Sequence, residues 1–173
     1  PKQNLCCDDK AMAIAHQIAD KLEIPFYVIK VDKYFKDTIV DNFISEYESG
    51  HTPNPCVRCN RYIKFGYLWK KAQELNADYL ATGHYVRMKK INEQMNKGLN
   101  EYSGNIDRSI IYSFNHIIFR SKDIKKDQTY FLSTIDPTVI PHLLFPLGGM
   151  QKSEVRDLAR KIGLPVYNKK DSM

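Results

Sequence analysis

The chain is 173 residues long, 43% apolar and 27% charged, with a formal net charge of +6. That length buries a real core and suffices for one domain with a small appendage, and the composition excludes a disordered chain. No run approaches the roughly 18 apolar residues that span a bilayer, and no secretory signal opens the sequence. A cytoplasmic location with no membrane partner is therefore expected. Pro1 is not an initiator methionine, so a natural N-terminus is expected to be missing.

Residues 8–23 place Ala11, Ile14, Ala15, Ile18, Ala19 and Leu22 on one stripe, with Asp8 or Asp9 as cap; this predicts a helix stopped by Pro25. FYVIKV, residues 26–31, reads as a buried strand. A second helix is expected over residues 34–47, with Phe35, Ile39, Val40, Phe43, Ile44 and Tyr47 inward and Gly50 as its stop. In TPNP, Thr52 and Asn54 each precede a proline and are pushed towards extended conformations, so the segment reads as a stiff arm. Asn60 then serves as the expected N-cap of a helix over residues 61–75, with Phe65, Leu68, Trp69, Ala72 and Leu75 inward. DYLAT, residues 78–82, is another strand, closed by Gly83 and His84.

This rhythm of helix, strand, helix, helix, strand predicts an α/β fold, a parallel sheet with flanking helices. In such sheets ligands gather at the carboxyl ends of strands, where Gly83 and His84 lie. Beyond them, residues 85–89 and 117–120 are expected to pair around a polar insert, 92–109, that reads as a mobile loop. KKDQTYFLSTI suggests a loop entering a helix near Asp127. Residues 153–162 form a last amphipathic helix, with Val155, Leu158, Ala159 and Ile162 inward and Gly163 as its stop. The chain ends at KKDSM with no closing element, as a fragment would.

Four cysteines are present: Cys6, Cys7, Cys56 and Cys59. So few, without a secretory signal, argue against a disulfide framework. Cys59 lies just before the expected helix start and between Arg58 and Arg61, and both features favour thiolate, the nucleophilic form. The alternatives are a four-cysteine zinc site, a thioredoxin-like redox pair and a buried structural pair. Adjacent Cys6 and Cys7 reach one ion poorly, the redox motif follows a strand in another context, and basic surroundings argue against apolar burial. Residues 49–73 hold no Asp or Glu but do hold Arg58, Arg61, Lys64, Lys70 and Lys71, a candidate nucleic-acid face as well as a plain solvated one. His84 is as readily a structural histidine as a catalytic one, and a lone Lys126-Asp127-Gln128 is by default a solvated loop.

TPNPCVRCNRYIKFG, NADYLATGHYVR, KKDQTYFLSTI and LFPLGGMQKSEVRDLARKIGLPVYNKKDS, in that order, resemble the tRNA-specific 2-thiouridylases (the MnmA/TrmU family). The resemblance covers nearly the whole chain except the insert. It implies an adenine nucleotide alpha hydrolase-like, N-type ATP-pyrophosphatase fold, incomplete at both ends. Residues 1–88 would be the α/β core, 89–116 a hairpin with the polar insert and 117–173 a helical, tRNA-contacting part. The glycine-rich nucleotide loop and the central and C-terminal domains would lie outside the chain. The implied activity is 2-thiolation of the wobble uridine of tRNA. ATP, with magnesium, adenylates the uridine C2 oxygen, a cysteine persulfide delivers sulfur, and AMP leaves. The implied partners are tRNA, ATP and a persulfide sulfur donor protein.

Matched by motif, the resemblance makes Cys59 the nucleophile and sets Asn54, Pro55 and Cys56 against the target base. Gly83 would lie near ATP, while His84, Lys126, Asp127 and Gln128 would contact tRNA. Two departures stand out. Cys56 replaces the family's aspartate, and the second, persulfide-bearing cysteine would lie just after Met173, so the fragment alone is expected to be inactive. Cys56, Cys59 and that downstream cysteine would also make a three-thiolate ligand set for an iron–sulfur cluster. Competing readings are an RNA 2-thiocytidine or lysidine-forming relative, a non-catalytic metal-clipped RNA-binding module, and a plain α/β domain with incidental cysteines.

Overall fold

A computed structural model describes residues 9–90, 111–113 and 115–168, which group into two compact units. Cys6, Cys7, the 92–109 insert and the KKDSM tail lie outside the described residues.

The first unit joins residues 1–30 to 152–173. Helix α1 spans Asp9–Lys21, as its apolar stripe predicts. Lys21 Nζ donates to the Gly163 carbonyl at 2.7 Å. Gly163, at φ +71°, ends the unit's other helix, Lys152–Lys161. The expected strand at residues 26–31 does not form: the segment is irregular, and Tyr27 and Val28 are exposed. A buried parallel strand needs neighbours on both sides, and among the described residues none pairs with this one. Leu158 and Ile162, expected inward on the last helix, are exposed.

The second unit, Val31–Gln151, holds the core. It opens with α2 (Asp32–Phe35), a π-helical stretch (Lys36–Val40) and α3 (Asp41–Glu48). Of the six residues expected inward here, Ile39 is buried while Phe35, Val40, Phe43, Ile44 and Tyr47 are exposed, so the inward stripe is a correction. After the TPN arm the chain turns helical again as α4 (Pro55–Cys59), a π-helical stretch (Asn60–Tyr67) and α5 (Leu68–Glu74). This helix starts earlier than expected. Asn54 is its N-cap, accepting from Val57 N at 3.1 Å, and Pro55 takes the first helical position, where a missing N–H costs nothing. Gly66 suits the wider π turn, since a Cβ there would sit 2.9 Å from the Arg61 carbonyl oxygen.

Strand β1 (Leu80–Ala81) follows, then β2 (Val86–Lys90), β3 (Ile111–Ser113), β4 (His116–Arg120) and β5 (Leu143–Leu144). β1 and β5 pair in parallel, Leu80 with Leu143, which bears out the α/β expectation. β2 and β4 pair antiparallel from Val86–Arg120 to Lys90–His116, as expected, with β3 added on the far edge of β4. The helix expected near Asp127 is instead two 3-10 turns, Ile124–Lys126 and Thr129–Leu132. Asp127 explains the break. Its carboxylate accepts from Ser121 N at 2.8 Å, Thr129 Oγ1 at 2.9 Å and Thr129 N at 3.3 Å, fixing a turn rather than capping a long helix.

Phe65 and Trp69 of the long helix pack with Val86, Ile118, Leu132, Ile135, Val139, Ile140 and Leu143. Each such side chain contributes about 1.5–3 kcal/mol by leaving water. The turn before Gln151 closes on β2 with no room to spare. A Cβ at Gly148 would fall 1.7 Å from the Val86 carbonyl oxygen, while the Gly148 carbonyl accepts from Lys122 N at 2.9 Å. Gly148→Ala must push this turn off β2 and should cost about 3 kcal/mol, read as a lower urea midpoint of unfolding.

Candidate functional site

The site assembles where the first turn of the cysteine helix meets the carboxyl end of β1. β1 is prolonged by Thr82, whose N–H donates to the Leu144 carbonyl at 3.0 Å. Gly83 and His84 follow directly. Cys56 is exposed and Cys59 half-buried, and neither is joined in a disulfide among the described residues. Three residues apart on one helical turn, they share a face at about 5–6 Å between Cβ atoms. Because the helix starts at Pro55, Cys56 occupies its first turn and Cys59 lies inside it. The helix-start reason for a reactive Cys59 is thereby corrected. The arginines do not flank the sulfur either, since neighbours one or two apart on a helix face other directions. Arg58 Nε donates to the Thr38 carbonyl at 2.8 Å, and Arg58 and Arg61 both lie over the Tyr62 ring, at 4.8 and 5.2 Å.

Asn60, expected as an N-cap, is instead 3% exposed and central to the site. Its Nδ2 donates to the Cys56 carbonyl at 3.0 Å, so its Oδ1 faces His84 Nε2, also at 3.0 Å. That oxygen can only accept, which makes His84 the Nε2–H tautomer. His84 Nδ1 must then accept from Thr82 Oγ1 at 2.8 Å. The ring is 7% exposed, with Phe65 centred 5.5 Å away and Phe145 6.3 Å away. Burial, with a smaller push from the Lys64 ammonium, lowers the His84 pKa from 6.5 to about 4. Both ring nitrogens are engaged inside the protein and both aromatic neighbours are close, so the bonds the structure gives this ring are internal ones.

Gly83 is exposed, and a Cβ there would meet only Leu147 Cδ1 at an ordinary 3.7 Å. Packing at the strand end thus leaves room for a side chain at this position. Asn54 caps the helix and directs Nδ2 at Tyr130 Oη, 3.5 Å away. Pro55, half-buried, fixes the entry to the turn. The KDQ segment mostly looks inward: Asp127 holds its own turn, and Gln128 exchanges two bonds with Tyr85, its N–H to the Tyr85 carbonyl at 3.1 Å and its Oε1 from Tyr85 N at 3.0 Å. Lys126 is half-buried at the end of the first 3-10 turn. In the acid-free stretch, Lys71 pairs with Glu74 at 2.6 Å. Lys64 and Lys70 are exposed and meet no acidic partner among the described residues.

No group of three or more His, Cys, Asp or Glu side chains is gathered for a metal ion among the described residues. Cys56 and Cys59 supply two of the three thiolates that the iron–sulfur expectation calls for. Reading the sequence missed Asn60, Thr82 and Tyr130. TGH at a strand end and TYF after KDQ were the only local signals for the last two.

A parallel strand end with an open glycine, faced by a helix that presents two thiols, defines an α/β domain with its ligand side at the strand termini. The chain belongs to the family described as the tRNA methyl transferase HUP domain, whose model matches residues 1–173. It is 46% identical over 167 residues to a tRNA-specific 2-thiouridylase MnmA 1 of Caldanaerobacter subterraneus subsp. tengcongensis. It is also 42% identical to an MnmA 2 of Clostridium tetani and 39% identical to an MnmA of Clostridium beijerinckii. Each match covers 96% of this chain and 41% of the relative, so the chain spans about two fifths of the length of these relatives.

The lowered His84 pKa sets a pH window for stability. The unfolded chain takes up a proton near pH 6.5 while the folded chain resists until about pH 4. The contribution is therefore whole above pH 6.5 and is lost as pH falls towards 4, about 3 kcal/mol in all. Urea unfolding from pH 7 to pH 4 should show this loss, and His84→Gln should flatten it.

Proposed function

We propose that this chain forms part of an ATP-dependent tRNA sulfurtransferase that places sulfur at C2 of the wobble uridine. The names attached to its kin differ over the group transferred: methyl in the family description, sulfur in the relatives. The observation that favours sulfur is the pair of thiols on one face of the helix that meets the β1 end. Cys59 is the proposed nucleophile. Asn54, Pro55 and Cys56 present the exposed edge of the turn to the target base, with Cys56 offering a thiol where a carboxylate would be a charged acceptor. Gly83 leaves room for the adenine nucleotide at the strand end. ATP adenylates the uridine C2 oxygen and releases pyrophosphate. The outer sulfur of a persulfide, loaded by a donor protein, attacks C2, and AMP departs with the former C2 oxygen. The Cys59 thiolate then attacks the inner sulfur, breaking the S–S bond, so that a disulfide forms on Cys59 and sulfur stays on C2 at the sulfide level. The two-unit division of the described residues leaves the finer domain assignment, with 117–173 as the tRNA-contacting part, a proposal resting on the resemblance alone.

Lys64 and Lys70, exposed on the cysteine helix, are the proposed phosphate contacts, and Lys126 is a further one. The intermediate burial of Asp127 and Gln128 and their internal bonds give them a share in shaping that surface rather than reaching out from it.

The decisive experiment uses the full-length protein with tRNA, ATP and a persulfide donor, and reads the nucleoside product by mass. A uridine with sulfur in place of oxygen supports the reading; an added methyl group, or no product, overturns it. Cys59→Ser should abolish product while leaving tRNA affinity within about twofold. Lys64→Glu and Lys70→Glu should each weaken tRNA binding and reduce the slope of log affinity against log salt by about 1, measured by filter binding across salt.

A further inference from the structure

We propose that Asn60 and His84 are positioning residues: together they form a buried hydrogen-bonded strut that fixes the cysteine turn to the end of β1. This rests on the sulfurtransferase reading above and deepens it. Its chain of bonds has one consistent assignment. Thr82 Oγ1 donates to His84 Nδ1, His84 Nε2 donates to Asn60 Oδ1, and Asn60 Nδ2 donates to the Cys56 carbonyl, each within 2.8–3.0 Å. Thr82 and His84 belong to the strand end, whereas Asn60 and Cys56 belong to the helix. The strut therefore joins the element that would hold the nucleotide to the element that carries the thiols.

Asn54 reaches Tyr130 at 3.5 Å on the surface, and Arg58 holds Thr38 on another side. β1 itself is two residues long. A buried bond between satisfied polar groups is directional, and leaving either partner unmet inside the protein costs more than the bond contributes. The strut thus selects one placement of Cys56 and Cys59 relative to Gly83. Adenylated base and sulfur must meet within reacting distance, and a misplacement of about 1 Å can cost a hundredfold in rate. Asn60 and His84 act through that placement and touch no substrate.

The test uses the full-length protein, with imidazole 15N NMR and single-turnover thiolation kinetics. Wild-type His84 is expected as the neutral Nε2–H tautomer at neutral pH. Asn60→Ala is expected to lower the thiolation rate constant about tenfold to a hundredfold, with tRNA affinity changed by less than about twofold. His84→Gln, whose amide can still donate to Asn60 Oδ1, is expected to retain more activity than His84→Ala. Thr82→Val keeps Asn60 and His84 Nε2 and serves if Asn60→Ala does not fold; it is expected to keep the Nε2–H tautomer, which Asn60 Oδ1 fixes, and to lower the rate as His84 Nδ1 loses its donor. The Nδ1–H tautomer in wild type, equal losses for Gln and Ala at position 84, or a loss of tRNA affinity with the rate constant intact would each overturn the strut. If wild-type protein makes no thiolated nucleoside, the sulfurtransferase reading fails, and the wild-type tautomer and its retention in Thr82→Val still decide whether the strut exists.

Discussion

The hydrogen bond between Asn60 and His84 is what the rest of the site depends on. It is short, buried at both ends and flanked by one further bond on each side. A buried imidazole must be neutral or paired, and here it is neutral, so its two nitrogens play opposite roles. Asn60 is the natural partner because its amide both accepts and donates. An aspartate at position 60 would offer only acceptors and would face the Cys56 carbonyl with negative charge. A lysine would lack the acceptor that His84 requires.

This constraint explains why the helix departs from α geometry where it does. The π-helical stretch begins at Asn60 and runs to Tyr67, and Phe65 and Trp69 must reach the core from the same rod. Widening the turn lets Asn60 look towards the strand end while Phe65 lies beside the His84 ring and Trp69 packs below it. Gly66 removes the Cβ that the wider turn would press against the Arg61 carbonyl. Core and site are thus built from one helix face, and the site inherits its rigidity from apolar burial.

What the sequence shows and what it hides follow from the range of the forces involved. Helix α1, the last helix, the β2–β4 pair and a strand within residues 78–82 are local patterns, and the structure returns them, although Leu22, Leu158 and Ile162 of the expected inward stripes are exposed. FYVIKV has a strand's composition, but a strand exists only with a partner, and no pairing is encoded in six residues. The cysteine helix was misplaced at its start because two prolines read as an arm. Asn followed by Pro is equally a cap and first-turn signal, and Asn54–Pro55 is used that way. His84 was visible as a candidate from its strand-end position. Its burial was not, because Phe65 and Phe145 come from 19 and 61 residues away in sequence.

The same reasoning bears on Cys56. The exposed edge of the turn carries its side chain, while its carbonyl is held from inside by Asn60. Backbone and side chain at this position therefore answer to different demands. The carbonyl is needed by the strut whatever residue stands there, which leaves the side chain free to vary with the chemistry. A carboxylate there would bring charge and two acceptors; a thiol brings a weak donor and a second sulfur on the face of Cys59. A change of residue at position 56 can thus alter the reactivity of the turn without disturbing the geometry that places it.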